Sequence, residues 1–309
     1  MAWEIPLRGP AGEQVDLHRT LASHGVASLP PMLLDEDTYE RLEVTIPVKG
    51  ARPRTVIVVP GRTEQARLQI LGRPPSSKAR ESVLATMRHV LNLDEDLSPF
   101  YAVAAQDPDL RWVTAGAGRM VRSPTVFEEV VKTVCTTNCS WALTTKMVTA
   151  LVEHLGEAAV GAPKEGWRGR TFPTPEAMAA TPERFYREVV RAGYRGPYLR
   201  TLARMVAAGD VDLQRLAAAG DSMTDDEIEI ELVALPGVGP YAAAHIMLML
   251  GRHSRLILDS WSRPKYVKVS GARRAVSDAT ILRRFRRYGE YAGLAFWCSI
   301  TRDWLDEAT

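Results

Sequence analysis

The segment Leu235-Pro-Gly-Val-Gly-Pro240 sets two glycines either side of one valine, directly before Tyr241-Ala-Ala-Ala-His-Ile-Met-Leu-Met-Leu250. Alanine, leucine and methionine make the second stretch a strong helix former. Asp225 to Ala234, on the other side of the turn, also reads as a short helix. Two helices joined this way form a helix-hairpin-helix, and its chemistry is anion binding. The first amides of the second helix have no intrahelical partner and carry partial positive charge. Glycine at 237 and 239 leaves room for a phosphate to approach and frees φ, while Pro240 suits the first helical turn. Gly237, Val238 and Gly239 are therefore expected to grip a phosphate backbone without reading its bases. Hairpin carbonyls also offer a place for a monovalent cation bridging to phosphate.

Twenty residues beyond Gly239, Leu256-Ile-Leu-Asp-Ser-Trp261 presents a lone carboxylate after an apolar run. An aspartate in such a place commonly caps the next helix. Asp259 is also the one group here suited to stabilising a developing positive charge or orienting a water. Tyr241 and His245 stand four apart on one helix and share a face. Both suit a pocket for a flat base, with Trp141 and Trp261 as further aromatic candidates, although each of these residues also fits ordinary core packing.

The elements that must position these groups follow from patterning. Glu43–Val48, Thr55–Val59 and Ala66–Ile70 alternate or are β-branched, with prolines and glycines between them, which predicts a small antiparallel sheet. Pro74-Pro-Ser-Ser77 marks a break, and helical periodicity follows from Lys78. Ser123-Pro124 with Glu128, Thr174-Pro-Glu176 and Thr181-Pro-Glu183 read as helix starts. The expected fold class is α+β, with a β-containing unit over residues 1–76. A two-lobed helical region follows over 77–309, with a cleft between its lobes.

Composition narrows the function classes. In 309 residues, 46% hydrophobic and 25% charged describe an ordinary globular protein. No run of 18 apolar residues is present, and the first residues lack the pattern of a signal peptide. Three cysteines make no disulfide framework, so a reducing cytoplasm, close to the nucleoid, is the expected setting. No cysteine or histidine set completes a metal site, and neither H-E-x-x-H nor a glycine-rich nucleotide loop occurs. The net charge of +2 hides a basic C-terminal zone: Arg252 to Arg302 holds twelve Lys or Arg against Asp259, Asp278 and Glu290. That zone suits a local polyanion contact.

Hairpin and aspartate together resemble the signature of the helix-hairpin-helix DNA glycosylase superfamily. Other segments match in order: Phe127–Leu155 with Cys135-Thr-Thr-Asn138, Phe172-Pro-Thr-Pro175, Gly193-Tyr-Arg195 to Tyr198-Leu-Arg200, and Tyr288–Trp297. The N-terminal strands followed by helices resemble the alkylpurine and 8-oxoguanine branches. What the resemblance implies is removal of a damaged base from double-stranded DNA by a chain acting as a monomer. The target nucleotide is rotated out of the stack and its glycosidic bond is broken, with Asp259 as the catalytic carboxylate. Asn138 would face the orphaned base, Tyr194 would act as a wedge, and Arg195 would contact the orphan base or a phosphate. Members that also cut the strand carry a lysine two residues after the second hairpin glycine, to form a Schiff base. Tyr241 stands there, so hydrolysis alone is expected. Iron–sulfur members carry four C-terminal cysteines, whereas this chain has only Cys298 there, so no cluster and no cofactor is expected. One carboxylate without an evident general acid favours a cationic leaving group, hence an alkylated purine. An oxidised or otherwise modified base remains open, as do a non-catalytic DNA-binding module and a scaffold without a DNA role.

Overall fold

A computed structural model describes residues 2–304. Five antiparallel strands open the chain: β1 Ala2–Pro6, β2 Met32–Leu34, β3 Leu42–Val48, β4 Ala51–Pro60 and β5 Gln65–Ile70. Their order in the sheet is β1-β5-β4-β3-β2. Strands β3 to β5 are those the alternating pattern predicts, while β1 and β2 are additional edge strands. Gly50, at φ +72°, closes the tight turn between β3 and β4, a conformation glycine enters without strain. Helix Ser77–Val90, capped by Ser76, lays Val83, Met87 and Val90 on the sheet's inner residues Val44, Ile46, Val56, Val58 and Leu68.

Helical elements make up the rest, in two cores. One gathers Val130, Val134, Met147, Leu151, Tyr186, Leu199, Leu202, Ile228 and Leu232. The other gathers Phe100, Leu110, Val113, Ile257, Tyr266, Phe285, Leu294 and Phe296. Helix Pro240–Met249 belongs to both: Ala242, Ala243, Ile246 and Met247 face the first core, and Ala244, Leu248 and Met249 the second. A helix packed on both sides has no polar face to spare, which explains its run of alanine, leucine and methionine. Its N-terminal end opens between the two lobes.

The structure revises several local expectations. Phe127–Leu155 is not one helix but two, Val126–Thr136 and Trp141–Leu155, capped by Thr125 and Ser140. Thr174 caps its helix as the Thr-Pro-Glu pattern predicts, but Thr181 bonds back to the Ala177 carbonyl and leaves the next helix without a side-chain cap. The C-terminal helix runs over Ala292–Thr301, after a left-handed Gly289. No helix among the described residues is long and apolar enough to cross a membrane.

Candidate active site

An open cleft of about 840 Å3 lies at the N-terminal end of helix Pro240–Met249. Gly237, Gly239, Tyr241, Asp259, Asn138 and Tyr194 all line it, although they lie up to 121 residues apart in sequence. The hairpin forms as its residue types require. Thr224 and Glu227 cap helix Asp225–Val233 reciprocally, and the chain then turns through Gly237 at φ +82°. A Cβ at 237 would stand 3.0 Å from Val134 and 3.2 Å from Tyr198, so that glycine answers to backbone shape and close packing. Gly239 differs. Its backbone is extended and a Cβ there would meet nothing within 4 Å, so neither backbone shape nor packing requires a glycine at this position. The amides of Tyr241 and Ala242 have no acceptor among the described residues, as helix geometry leaves them. Val238, expected at the phosphate grip, is 6% exposed, and its amide is already bonded to Leu235; its side chain anchors the turn in the core.

Asp259 lines the same cleft. Its Oδ1 accepts hydrogen bonds from the amides of Trp261 and Ser262 at 3.0 and 2.6 Å. The Ser262 hydroxyl returns one from the Asp259 amide at 2.8 Å. The carboxylate thus caps helix Ser262–Val269 through one oxygen, and its Oδ2 makes no bond to the described residues. Arg263, half-buried on the cleft wall, is held by Asp278 at 2.8 and 2.9 Å.

Tyr241 presents its ring to the cleft, with its hydroxyl 3.5 Å from Thr136. Burial, with a smaller contribution from the Asp259 charge, raises its phenol above the usual range, although Thr136 opposes this. A Tyr241 phenolate is therefore disfavoured. His245 lies deeper than its helical spacing suggests. It is 4% exposed, 3.3 Å from the Thr133 hydroxyl and edge-on to His24. Removal from water lowers its pKa to about 4, with His24 adding to the fall and Glu129 and, less, Asp259 opposing it. It is a neutral imidazole behind the wall rather than a cleft residue.

Trp141 and Trp261 also stand outside the lining of the cleft. Trp141 is exposed and approaches Gly25, whereas Trp261 packs on Trp297 and Trp304 at 5.7 and 5.5 Å. Arg195 is corrected too. It is buried, its guanidinium holds the Thr137 carbonyl, and the Tyr194 ring lies 4.5 Å above it. It braces the loop that carries Asn138 and is not free to meet a phosphate. Asn138 itself is exposed in that loop at φ +47°, a conformation asparagine tolerates, with its amide 3.4 Å from the Tyr194 hydroxyl. Tyr198, which the sequence offered only as part of a matching segment and without a role, is a half-exposed neighbour whose ring stands 6.2 Å from Tyr194, one helical turn on. Sequence reasoning missed Ser262, which fixes Asp259.

The basic zone is less free than its local count implies. Arg252, Arg255, Lys265 and Arg287 pair with Asp225, with Asp226 and Glu229, with Asp303 and with Asp107. Most of these acids come from distant segments. Arg273, Arg274, Arg283, Arg284, Arg286 and Arg302 are exposed without an ion pair to the described residues. No group of three or more metal-ligating side chains occurs among the described residues.

No protein-family model matches the chain. A "probable N-glycosylase/DNA lyase" of Methanothermobacter thermautotrophicus is 25% identical over 93% of this chain and 92% of its own length. The DNA-3-methyladenine glycosylase of Bacillus subtilis is 24% identical over 57% of this chain and 56% of its own length. Among solved structures, a 3-methyladenine DNA glycosylase from Archaeoglobus fulgidus superposes with a TM-score of 0.72 at 18% identity, over 97% of this chain and 98% of that one. A Clostridium acetobutylicum 8-oxoguanine glycosylase/lyase bound to double-stranded DNA gives 0.67 at 20% identity, over 92% and 93%. In sequence and in fold, this chain resembles the helix-hairpin-helix superfamily of DNA glycosylases.

Proposed function

We propose that this protein is a DNA glycosylase of base excision repair, with Asp259 as its catalytic carboxylate. The observation that carries the reading is the juxtaposition in one cleft of an anion-gripping hairpin and a carboxylate with one unused oxygen. A pure DNA binder has no need of a negative charge facing phosphate. In the reaction, the bond between C1′ and the base nitrogen breaks and its electron pair leaves with the base. Asp259 stabilises the cation-like sugar, water adds its oxygen to C1′, and the released proton passes to the carboxylate or to solvent. Gly239 and the bare amides of Tyr241 and Ala242 hold a phosphate beside the extruded nucleotide. Asn138, Tyr194 and Tyr198 line the same cleft and fill the gap that the extruded nucleotide leaves in the stack. The exposed C-terminal arginines add non-specific attraction to duplex DNA.

The substrate we favour is a purine alkylated on a ring nitrogen, because such a base is already cationic and leaves without a general acid. Aromatic walls around the site also suit a cation. Hydrolysis without strand cleavage is the expected outcome, since no lysine lines the cleft and Tyr241 cannot form a Schiff base. A panel of labelled duplexes containing 7-methylguanine, 1,N6-ethenoadenine, hypoxanthine, 8-oxoguanine and uracil tests all three points. Breaks that appear only after alkali, strongest for an alkylated base, are predicted. Breaks without alkali would refute the hydrolytic reading, and strongest excision of 8-oxoguanine would refute the alkylpurine assignment.

A further inference from the structure

Two helices that line the cleft at one end line a second cavity at the other. Helix Val126–Thr136 gives Thr136 to the cleft and Phe127 and Glu128 to the cavity. Helix Arg195–Ala208 gives Tyr198 to the cleft and Val206 to the cavity. The two spaces share no lining residue. The second encloses about 520 Å3, and its walls are largely apolar: Phe127, Phe172, Pro173, Val206 and Val211, with Pro47 of β3. A hollow of that size holds one small molecule.

Its charges are of one sign. Glu128, Glu157 and Asp212 line it, and no lysine or arginine among the described residues does. Glu157 is exposed and has no ion pair to the described residues. Asp212 caps its own helix through Oδ1, which accepts from the Gln214 and Arg215 amides at 3.0 and 3.1 Å, and its Oδ2 makes no bond to the described residues. Glu128 is 1% exposed. Its Oε1 lies 2.6 Å from Lys132 Nζ, while its Oε2 makes no bond to the described residues. Burial raises this carboxyl above its ordinary range, with Lys132 opposing and Glu129 adding to the rise. A buried charge with one oxygen unused is costly, and a cation entering the cavity would offset that cost. Duplex DNA is excluded as the occupant, because it carries the same sign of charge as the rim.

We propose that this cavity binds a small amphipathic amine: an apolar body against Phe127, Phe172 and the prolines, and an ammonium group among Glu128, Glu157 and Asp212. Both halves of such a ligand are matched, the body by burial of apolar surface and the ammonium by carboxylates that lack other partners. With no residue in common, the cavity and the cleft can be filled at the same time. The inference goes beyond the glycosylase reading and does not depend on it.

Titration of the full-length, methyl-labelled protein with 4-phenylbutylamine, followed by NMR, tests this. Saturable shifts are expected at the Val206, Val211 and Leu213 methyls, which line the cavity, with none at Leu258, which lines the cleft. Two further probes separate the parts of the ligand. 4-Phenylbutyrate, with the same body and the opposite charge, should bind at least about 10-fold more weakly. Butylamine, with the same charge and no ring, should also lose about 10-fold or more. Glu157→Lys reverses a rim charge at an exposed position and should weaken 4-phenylbutylamine by about 3- to 10-fold. Val211→Trp should fill the cavity and abolish the shifts at Val206 and Leu213. Both variants are first checked for cooperative melting, and if Val211→Trp fails to fold, Glu157→Lys decides. No saturable shift at the cavity methyls, equal binding of the amine and the carboxylate, or unchanged affinity in Glu157→Lys would overturn the proposal. None of these results bears on base excision, so the glycosylase reading stands or falls separately.

Discussion

In the proposed reaction Asp259 has two tasks, one for each oxygen. Oδ1 is fixed by the Trp261 and Ser262 amides, so the carboxylate cannot rotate away, and on the proposed reading Oδ2 is the oxygen that meets the sugar. A fixed charge aimed at a developing cation reorganises little during reaction, which is where such groups have their largest effect. With Tyr241 where an amine nucleophile would have to stand, borohydride added during turnover should trap no covalent protein–DNA complex, and a trapped band on a denaturing gel would refute the hydrolytic reading. Asp259, Tyr241, Asn138 and Tyr194 were all legible in the sequence, because short spacings and a family pattern carry them. Depth was not legible. His245 shares a helical face with Tyr241, yet one turn further along it is sealed between two lobes, and Val238 and Arg195 are turned inward by contacts from other segments.

Among the elements, the two hairpin glycines separate shape from access. Gly237→Ala places a side chain at positive φ against Val134 and Tyr198 and should lower stability by about 1–2 kcal/mol in urea melts. Gly239→Ala meets open space in extended backbone, so it should melt like the wild type but bind duplex DNA more weakly. If Gly239→Ala keeps full affinity in an anisotropy titration, the hairpin is not the phosphate grip. Helix Val126–Thr136 carries a different load. Its Lys132 and Glu128 are fully buried and 2.6 Å apart, one turn from each other. Removing one charge leaves the other unpaired, so Lys132→Met should cost about 3–5 kcal/mol, against much less for the double replacement with Glu128→Leu. The strands β3 to β5 and the hairpin helices announce themselves by period and by glycine placement. The break between Thr136 and Trp141 was also written locally and went unread: Thr136 to Ser140 is a run of poor helix formers, with Asn138 suited to the left-handed region and Ser140 to a cap.

Across the whole molecule, two buried imidazoles, His24 of the N-terminal unit and His245 of the helix shared by both helical cores, meet edge-on. His24 and His245 both titrate below the usual histidine range because they are buried. A depressed folded-state pKa contributes stability that is complete above about pH 6.5 and is lost as pH falls, since the unfolded chain then binds protons that the folded chain refuses. For His245 the loss should run from about pH 6.5 down to about 4. Urea melts at pH 7.5, 6 and 5 should show falling stability, and His245→Gln should flatten that slope. An unchanged slope would mean that the imidazole is not held neutral. The basic zone shows the limit of local reading at this scale. Twelve cations within one segment suggested a free polycationic face, but acids from Asp107, Asp225, Asp226 and Glu229 fold back to neutralise part of it. Charge balance is set by topology, and sequence distance does not report it.

The most direct test of the account is the rate of base release by Asp259→Asn under single-turnover conditions, on the best duplex substrate, with DNA affinity measured alongside. The substitution keeps size and an acceptor oxygen at the helix cap but removes the charge. The account predicts a fall of about 100-fold or more in the rate, with affinity equal to or higher than that of the wild type. A variant that releases the base at the wild-type rate would contradict it.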